Sequence, residues 1–466
     1  MSVFGRHYTP TFRIRIAALV LLSLGYTISC SDDLLLPEST INTPRNNYPS
    51  GNWRTGKYDV FTNSFIPNPD DTTSSYLDNN HPAIINMRKR AHQIADVSWT
   101  PLGNIPNLSG FFSCGGTISG IPYSSVKELD KNVGQEVSFY TFLSAVANPR
   151  SVLYTERVNI PPYKGLNCAT YYGSVCSMTV NYALGLDRPY ESKMFGTLPF
   201  IKRVTEQTFS SARAGDIVWR NGHVLMIIDV DRNEHDEVMR IEILENAGNC
   251  AFIKTYTLKE FESRWEGIGW VLYRYVGLSH LADETGLYLG VEDQNLSEIN
   301  FNTDLSLNRG DHVTYREGET VIVNILSSDY SALELYKDGE LLYTKKYTGT
   351  PDVEYAGLSY GKYQARLVND TKYSNPVSFE VLQTDVSVNR GGDYMTISFS
   401  SSNSIPEYVV FCNEIGSRFF ISDISSEEKW KRCKIVKLEY PTDNIYVKVI
   451  FKGHYGRVSN AIIPLS

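Results

Sequence analysis

The residues of this sequence best suited to chemistry are a cysteine and a histidine in the middle of the chain. Cys176 lies in the segment YYGSVCSMTVNYALGL, residues 171–186, where small residues give way to a helix-like pattern. The N-terminus of a helix favours a negatively charged group through its unpaired amides and its dipole. The pattern therefore predicts an ionised thiol at the start of a helix, and a thiolate can attack a carbonyl carbon.

A nucleophilic thiol needs a base and a polar group that orients the base. Among the eight histidines, only His223 follows a turn (RNGH) and begins a buried strand, HVLMIIDV. The strand VMRIEILEN ends in Glu245 and Asn246, and we expect one of these two, preferably Glu245, to hold the imidazole. The alternatives are a packed core thiol or a disulfide with Cys168 for Cys176, and a purely structural strand histidine for His223.

The elements that must position these residues are three helices followed by a sheet. Apolar periodicity predicts helices over PAIINMRKRAHQIADV, over VGQEVSFYTFLSAVANP and from Cys176 to about Gly185. Strands are predicted at DIVW, HVLMIIDV, VMRIEILEN and WVLYRYV, ending near residue 276. Helices that precede an antiparallel sheet indicate an α+β domain.

The same segments carry a family resemblance. YGSVCS, followed by AGDIVW and GHVLMIIDV, resembles the catalytic core of the NlpC/P60 cysteine peptidases of the papain-like clan over about residues 160–275. The resemblance implies a papain-like core with helices packed on an antiparallel sheet, and a Cys-His-polar triad. It also implies hydrolysis of peptidoglycan stem peptides, of the γ-D-glutamyl–diamino acid type, through a thioacyl intermediate whose oxyanion the Cys176 amide helps to hold.

Further site residues follow from the resemblance. A tyrosine from outside the core often contacts the cysteine in such enzymes, which makes Tyr123 and Tyr163 candidates for substrate binding, together with Ser177. Val175 stands where the family often has an aspartate that recognises a free amine, and Met178 stands where glycine is common. The bond that is cut and the amine requirement therefore stay open.

Two other classes of function also stay open. One is a cysteine amidase or transferase that acts on an amide or ester outside the cell wall. The other is a non-catalytic surface-binding lipoprotein, with β-sandwiches as binding modules.

The N-terminal segment predicts export and a lipid anchor. Arg6, Arg13 and Arg15 precede the apolar run IAALVLLSLGY, which is too short to span a bilayer, and TISC then ends at Cys30. This pattern resembles a bacterial lipoprotein signal, with a lipid on Cys30 that tethers the chain to the outer membrane, facing the periplasm or the cell surface. The alternative is an ordinary secretory signal.

Composition and motifs indicate few other ligands. The net charge is −8 and no long basic run occurs, so we expect no nucleic-acid partner. CxxC and HExxH are absent from the sequence, so we expect no metal and no cofactor.

The second half of the chain changes character after about residue 277. Short strands with turn signals replace helical periodicity, GLSYGKYQARL resembles the tyrosine corner of immunoglobulin-like sandwiches, and 361–382 aligns weakly with 444–465. We therefore expect two all-β sandwich domains after the papain-like core. The predicted units are a signal peptide (1–30), a polar tether (31–52), a helical extension (53–159), the catalytic core (160–277), a linker (278–298) and two β-sandwiches (299–383 and 384–466).

Overall fold

The structure is a computed structural model. It describes residues 56–59, 64–67, 77–107, 110–124, 131–156, 170–186, 189–198, 200–267, 269–283, 300–391, 394–399, 404, 406–412, 418–423, 430–434, 445–460 and 463–465.

Most of the helices are short. Along the chain they precede the strands of the central sheet or, like the last of them, connect two of these strands. Those in the described ranges are α1 (Pro82–Asp96), α2 (Phe139–Ala147), α3 (Val152–Thr155), α4 (Cys176–Ala183), α5 (Ser192–Phe195) and α6 (Leu258–Trp265). Helix α2 begins where the Ser138 hydroxyl accepts a hydrogen bond from the Thr141 amide, at 2.9 Å. Helix α6 begins with a capping box between Thr257 and Glu260.

The strands of the first half form small hairpins and one large sheet. They are β1 (Gly56–Asp59), β2 (Ser64–Pro67), β3 (Ser98–Trp99), β4 (Ile105–Asn107), β5 (Gly110–Phe112), β6 (Ile118–Ser119), β7 (Ile201–Arg203), β8 (Asp216–Arg220), β9 (His223–Arg232), β10 (Val238–Ala247), β11 (Cys250–Thr257) and β12 (Val271–Tyr275). The large sheet is antiparallel, in the order β11-β10-β9-β8-β12-β7.

Each face of this sheet has its own apolar cluster. On one face Val224, Met226 and Leu244 pack with α1 and α4. On the other face Leu225 and Ile243 pack with α6. Because side chains alternate along a strand, consecutive residues of β9 belong to different clusters.

The second half of the chain consists of paired sheets. The strands are β13 (Leu305–Leu307), β14 (Val313–Arg316), β15 (Val321–Ile325), β16 (Ala332–Lys337), β17 (Glu340–Lys346), β18 (Asp352–Tyr355), β19 (Gly361–Val368), β20 (Val377–Leu382), β21 (Val386–Gly391), β22 (Tyr394–Phe399), β23 (Pro406–Cys412), β24 (Arg418–Asp423), β25 (Trp430–Lys434), β26 (Ile445–Lys452), β27 (Arg457–Ser459) and β28 (Ile463–Leu465).

The first pair is a sheet β13-β15-β18 and a sheet β14-β20-β19-β16-β17, and the second is β21-β22-β25 with β24-β23-β26-β27, where β28 also pairs with β26. The Tyr363 hydroxyl donates to the Ser359 carbonyl oxygen at 2.6 Å, which is the hydrogen bond of a tyrosine corner. The predicted immunoglobulin-like β-sandwich character of this half is confirmed.

The predicted fold class, an α+β chain built on a papain-like core, is wrong. Strands hold 43% of the residues and helices are few, so the chain is mostly β, and no papain-like helical core is evident in the part that the structure describes. The second predicted helix is shorter than its apolar pattern, because residues 133–137 form a turn closed by the bond from the Gly134 amide to the Val137 carbonyl oxygen. Strand β11, which pairs antiparallel with residues 240–247 of β10, was not predicted.

Helix α2 is bound directly to the first sandwich. The Asp311 amide donates to the Ser144 hydroxyl at 2.7 Å, and the Thr141 hydroxyl donates to the His312 carbonyl oxygen at 2.6 Å. The His312 ring stacks on Tyr140, with centroids 4.4 Å apart, and on Tyr455 of the second sandwich, with centroids 4.9 Å apart. One loop therefore joins α2 to both sandwiches.

Gly310 allows this close approach, and its replacement tests the junction. A Cβ at Gly310 would lie 2.1 Å from the Thr141 carbonyl oxygen, whereas Gly318 has the same positive φ with nothing within 4 Å. We expect Gly318→Ala to lower the free energy of unfolding by about 1 kcal/mol, through backbone strain alone. Gly310→Ala adds the steric clash, so we expect a loss of about 3 kcal/mol. Urea unfolding measures both values, and equal losses would contradict the packing described here.

Asp311 makes the stability of this junction depend on pH. Burial raises the pKa of its carboxyl group to about 6, although the Leu307 amide and the Ser306 hydroxyl donate to it. A raised folded-state pKa stabilises the fold below the unfolded value and loses that contribution as pH rises through about 6. Between pH 4 and pH 7 we therefore expect the wild type to lose about 2 kcal/mol relative to Asp311→Asn. Urea titrations at several pH values, with the exposed Asp370→Asn as control, measure this loss, and parallel pH curves would contradict it.

Candidate active site

Cys176 is the first residue of α4, and it is 2% exposed. Val175 before it is extended, and the Thr179 amide makes the first helical hydrogen bond, to the Val175 carbonyl oxygen, at 2.9 Å. Extended backbone continues upstream, because Ser174 pairs with Tyr123 and Gly173 pairs with Asn132. The helix therefore begins where this pairing ends, and its first turn carries the thiol.

The segment 122–124 lies against the chain that leads to Cys176. The Ser174 amide donates to the Pro122 carbonyl oxygen at 2.9 Å. A Cβ at Gly173 would lie 2.5 Å from the Ser124 Cβ, so only glycine fits between the two segments. Tyr123 is buried in this segment, and its amide donates to the carbonyl oxygen of Asn249 at 2.7 Å.

Ser177 and Tyr163 are the other two residues predicted to bind substrate, and only Ser177 is among the described residues. Ser177 is the second residue of α4 and is buried. Tyr163, Cys168 and the predicted lipidation site Cys30 lie outside the described residues.

His223 and Glu245 form a buried pair. The imidazole Nε2 lies 2.8 Å from the Glu245 Oε1, and the two side chains are 6% and 8% exposed. His223 is the first residue of β9, after a two-residue turn, Asn221-Gly222, in which Gly222 has φ of +82°. The structure thus brings together the base and the orienting carboxylate that the sequence predicts.

Asn246 contacts the start of α4. Its Nδ2 donates to the Ser174 carbonyl oxygen at 2.8 Å and to the Thr179 hydroxyl at 3.1 Å. These bonds join the end of β10 to the residues on either side of Cys176. They give Asn246 a role in positioning the helix.

Cys176 and the His223–Glu245 pair lie at the same end of the sheet. Asn246 follows Glu245 in β10, and it donates to the Ser174 carbonyl oxygen and to the Thr179 hydroxyl, on either side of Cys176 in the sequence. His223 is the first residue of β9, and its ring contacts the Glu245 carboxylate. The three residues predicted for the site therefore come from neighbouring parts of one sheet end.

Two residues around His223 were missed by the sequence reasoning. The Trp270 ring meets the imidazole edge to face, with centroids 5.7 Å apart, and the Arg220 guanidinium lies 4.7 Å from the centre of that indole. Arg220 pairs directly with His223 across the Asn-Gly turn. That turn is visible in the sequence as RNGH and could have identified Arg220, whereas nothing local identifies Trp270.

The remaining described cysteines outside the sandwiches differ from Cys176. Cys114 is exposed, and its thiol donates to the Leu102 carbonyl oxygen at 3.1 Å. Cys250 is half-buried, and burial raises the pKa of its thiol to about 12. Neither residue begins a helix.

The described residues contain no group of three or more His, Cys, Asp or Glu side chains placed to hold a metal ion. They also contain no helix that is long and apolar enough to cross a membrane.

Comparison with known proteins gives a fold likeness only. No family model matches the chain, and no curated protein matches it. Solved structures that it matches include two fibronectin type III domains of chicken tenascin, at 14% identity over 35% of this chain and 98% of that chain, with a TM-score of 0.21. Domains 3 and 4 of rat CD4 match at 12% identity over 33% of this chain and 97% of theirs, with a TM-score of 0.19. Fibronectin(III)-like modules of Clostridium thermocellum CbhA match at 15% identity over 17% of this chain and 94% of theirs, with a TM-score of 0.14.

The predicted membership of the NlpC/P60 family is therefore wrong. The structure neighbours are fibronectin III and immunoglobulin-like domains, and no NlpC/P60 or papain-like enzyme appears among them. The physical reason is that YGSVCS and GHVLMIIDV specify only a helix start and a buried strand. Both elements form here, and they do so in a chain that is mostly β.

Asn246 offers a test of how the start of α4 is held. Asn246→Asp keeps the size of the side chain but places a carboxylate oxygen against the Ser174 carbonyl oxygen. We expect the free energy of unfolding to fall by about 3 kcal/mol, because the carbonyl loses its buried donor and faces a charge. We also expect iodoacetamide to alkylate Cys176 faster, while the rate at the exposed Cys114 stays the same. Unchanged stability and unchanged alkylation would contradict this role.

Proposed function

We propose that the chain is a cysteine hydrolase that cleaves an amide bond by acyl transfer through Cys176. The observation that carries the proposal is the buried His223–Glu245 pair, located at the end of the sheet where α4 begins with Cys176. Burial of an imidazole and a carboxylate costs desolvation free energy, and a surface ion pair or an apolar pair would avoid that cost. A pair that is buried despite this cost is a candidate for a role in function.

The proposed mechanism assigns one task to each residue. Glu245 holds the imidazole through Nε2, and Nδ1 takes the proton of the Cys176 thiol. The thiolate attacks the substrate carbonyl carbon, the amide C–N bond breaks, and the amine leaves with the proton from His223. Water then hydrolyses the thioester and regenerates the thiol. The amides of the first turn of α4 favour the negative charge on the reacting oxygen.

The substrate that we propose is a peptide amide of the cell wall. This assignment depends on the N-terminal pattern, since a lipid on Cys30 would hold the chain at the outer membrane, within reach of peptidoglycan stem peptides. An amide or ester outside the wall is the alternative for the same chemistry. A non-catalytic binding protein is the alternative if the thiol is inert.

Digestion of purified muropeptides, followed by mass spectrometry, tests the hydrolase. We expect a new product with the wild type and with the matched controls Cys114→Ala and Cys250→Ala, and none with Cys176→Ala. Loss of the base in His223→Ala should slow cleavage by about a thousandfold, and Glu245→Gln, which keeps the shape of the side chain, by a smaller factor.

Three results would decide against parts of the proposal. Cleavage that survives Cys176→Ala would exclude the thiol mechanism. No cleavage, together with iodoacetamide labelling of Cys176 that is fast and depends on His223, would move the substrate outside the wall. No cleavage and labelling no faster than at Cys250 would favour the binding protein.

A further inference from the structure

Arg220 lies beside the imidazole of the candidate site. It is the last residue of β8, and it pairs with His223, the first residue of β9, across the Asn221-Gly222 turn. Residues that are directly paired on antiparallel strands turn their side chains to the same face, with Cβ atoms about 5 Å apart. The Arg220 side chain therefore leaves the sheet on the same side as the His223 ring.

The indole of Trp270 holds the guanidinium of Arg220. Trp270 directly precedes β12, whose first residue, Val271, pairs with Trp219 of β8. The Arg220 Cζ lies 4.7 Å from the centre of the indole ring. Stacking on an aromatic face attracts a guanidinium and restricts its rotation, but it uses none of the N–H donors in the guanidinium plane.

These donors have no acceptor in the described part of the chain. There the Arg220 guanidinium forms no ion pair with a carboxylate and donates no hydrogen bond. The other two half-buried arginines in the strands of this sheet each have a carboxylate partner, Arg274 with Asp216 at 2.7 Å and Arg232 with Asp236 at 3.6 Å. Arg220 is therefore a half-buried cation that is held in place by a ring and not by an anion.

Neighbouring parts of the sheet place Arg220 in a row with the candidate catalytic pair. In the strand order β10-β9-β8-β12, the row consists of Glu245, His223, Arg220 and Trp270. Glu245 and His223 are buried, whereas Arg220 and Trp270 are half-buried. Solvent thus reaches the row at the guanidinium and the indole, so a ligand that enters there meets a positive charge.

We propose that Arg220 binds a carboxylate of the substrate next to the amide that is cleaved. The substrate class is then a peptide with a free carboxylate close to the scissile bond. This assignment rests on the proposed function, because it takes His223 as the base. A guanidinium can donate two parallel hydrogen bonds to the two oxygens of a carboxylate, which fixes the direction of the bound group as well as its position.

Alkylation of Cys176 in the full chain by iodoacetate and by iodoacetamide tests the proposal without a known substrate. Both reagents transfer a group of similar size to the thiol with loss of iodide, but only iodoacetate carries a carboxylate. We expect the ratio of the iodoacetate rate to the iodoacetamide rate to fall about fivefold in Arg220→Met, because the attracting charge is lost. Arg220→Lys keeps the charge and should lower the ratio less. Mass spectrometry of the digested protein measures both rates, with the exposed Cys114 as internal reference.

Arg240→Met is the matched control for the change in charge. Arg240 is exposed on β10, five residues before Glu245, which is about 17 Å along a strand. Its replacement should leave the ratio at Cys176 unchanged, and equal melting temperatures would show that the variants fold. A fall of the same size in Arg240→Met would overturn the proposal, since the effect would then come from the net charge.

Two further outcomes separate this proposal from the proposed function. A ratio that Arg220→Met leaves unchanged, at a Cys176 whose alkylation still depends on His223, would overturn the carboxylate site and leave the hydrolase in place. A Cys176 that reacts with neither reagent faster than Cys250 would overturn the proposed function, and this proposal with it.

Muropeptides whose carboxyl groups are converted to methyl esters test the substrate class directly. We expect esterification to raise KM about tenfold for the wild type and to change it little for Arg220→Met, which has no guanidinium to lose a partner. An equal effect of esterification on both proteins would overturn the assignment of the carboxylate to Arg220.

Discussion

The arrangement of the candidate site depends on the hydrogen bonds of the Asn246 side chain. They connect the end of β10 to the Ser174 carbonyl oxygen and to the Thr179 hydroxyl, so they determine where α4 begins on the sheet. An unpaired amide at this buried place would cost 1–3 kcal/mol, roughly the effect of a severe point mutation. These bonds determine the position of Cys176. They bring the thiol to the end of the sheet that also carries the imidazole and the carboxylate.

The same end of the sheet carries the buried His223–Glu245 pair. The imidazole Nε2 lies 2.8 Å from the Glu245 Oε1, and the Trp270 ring meets the imidazole edge to face. The imidazole thus has a carboxylate and an aromatic ring as neighbours. Cys176 lies in the apolar cluster beneath α4.

The local features of the site could be predicted from the sequence, whereas the overall fold could not. A glycine-serine break before an apolar repeat predicted the helix that begins at Cys176, and the Asn-Gly turn before an apolar run predicted the start of β9 at His223. The fold class was wrong because YGSVCS and GHVLMIIDV specify a helix start and a buried strand but not the elements around them, and pairings such as Tyr123 with Ser174 join residues distant in sequence. The face of Glu245 could have been predicted, since Ile241 and Ile243 share its parity, but the side on which α4 packs is decided by tertiary contacts.

The apolar cluster around α4 continues well beyond the sheet. It includes Phe139 and Phe142 of the α2 region and reaches Tyr408, Val410 and Ile450 of the second sandwich. Parts that share one core cannot separate without exposing each other's apolar surface. The α4 region and the second sandwich should therefore lose their structure in a single cooperative transition, and amide hydrogen exchange in both should be governed by the same opening reaction.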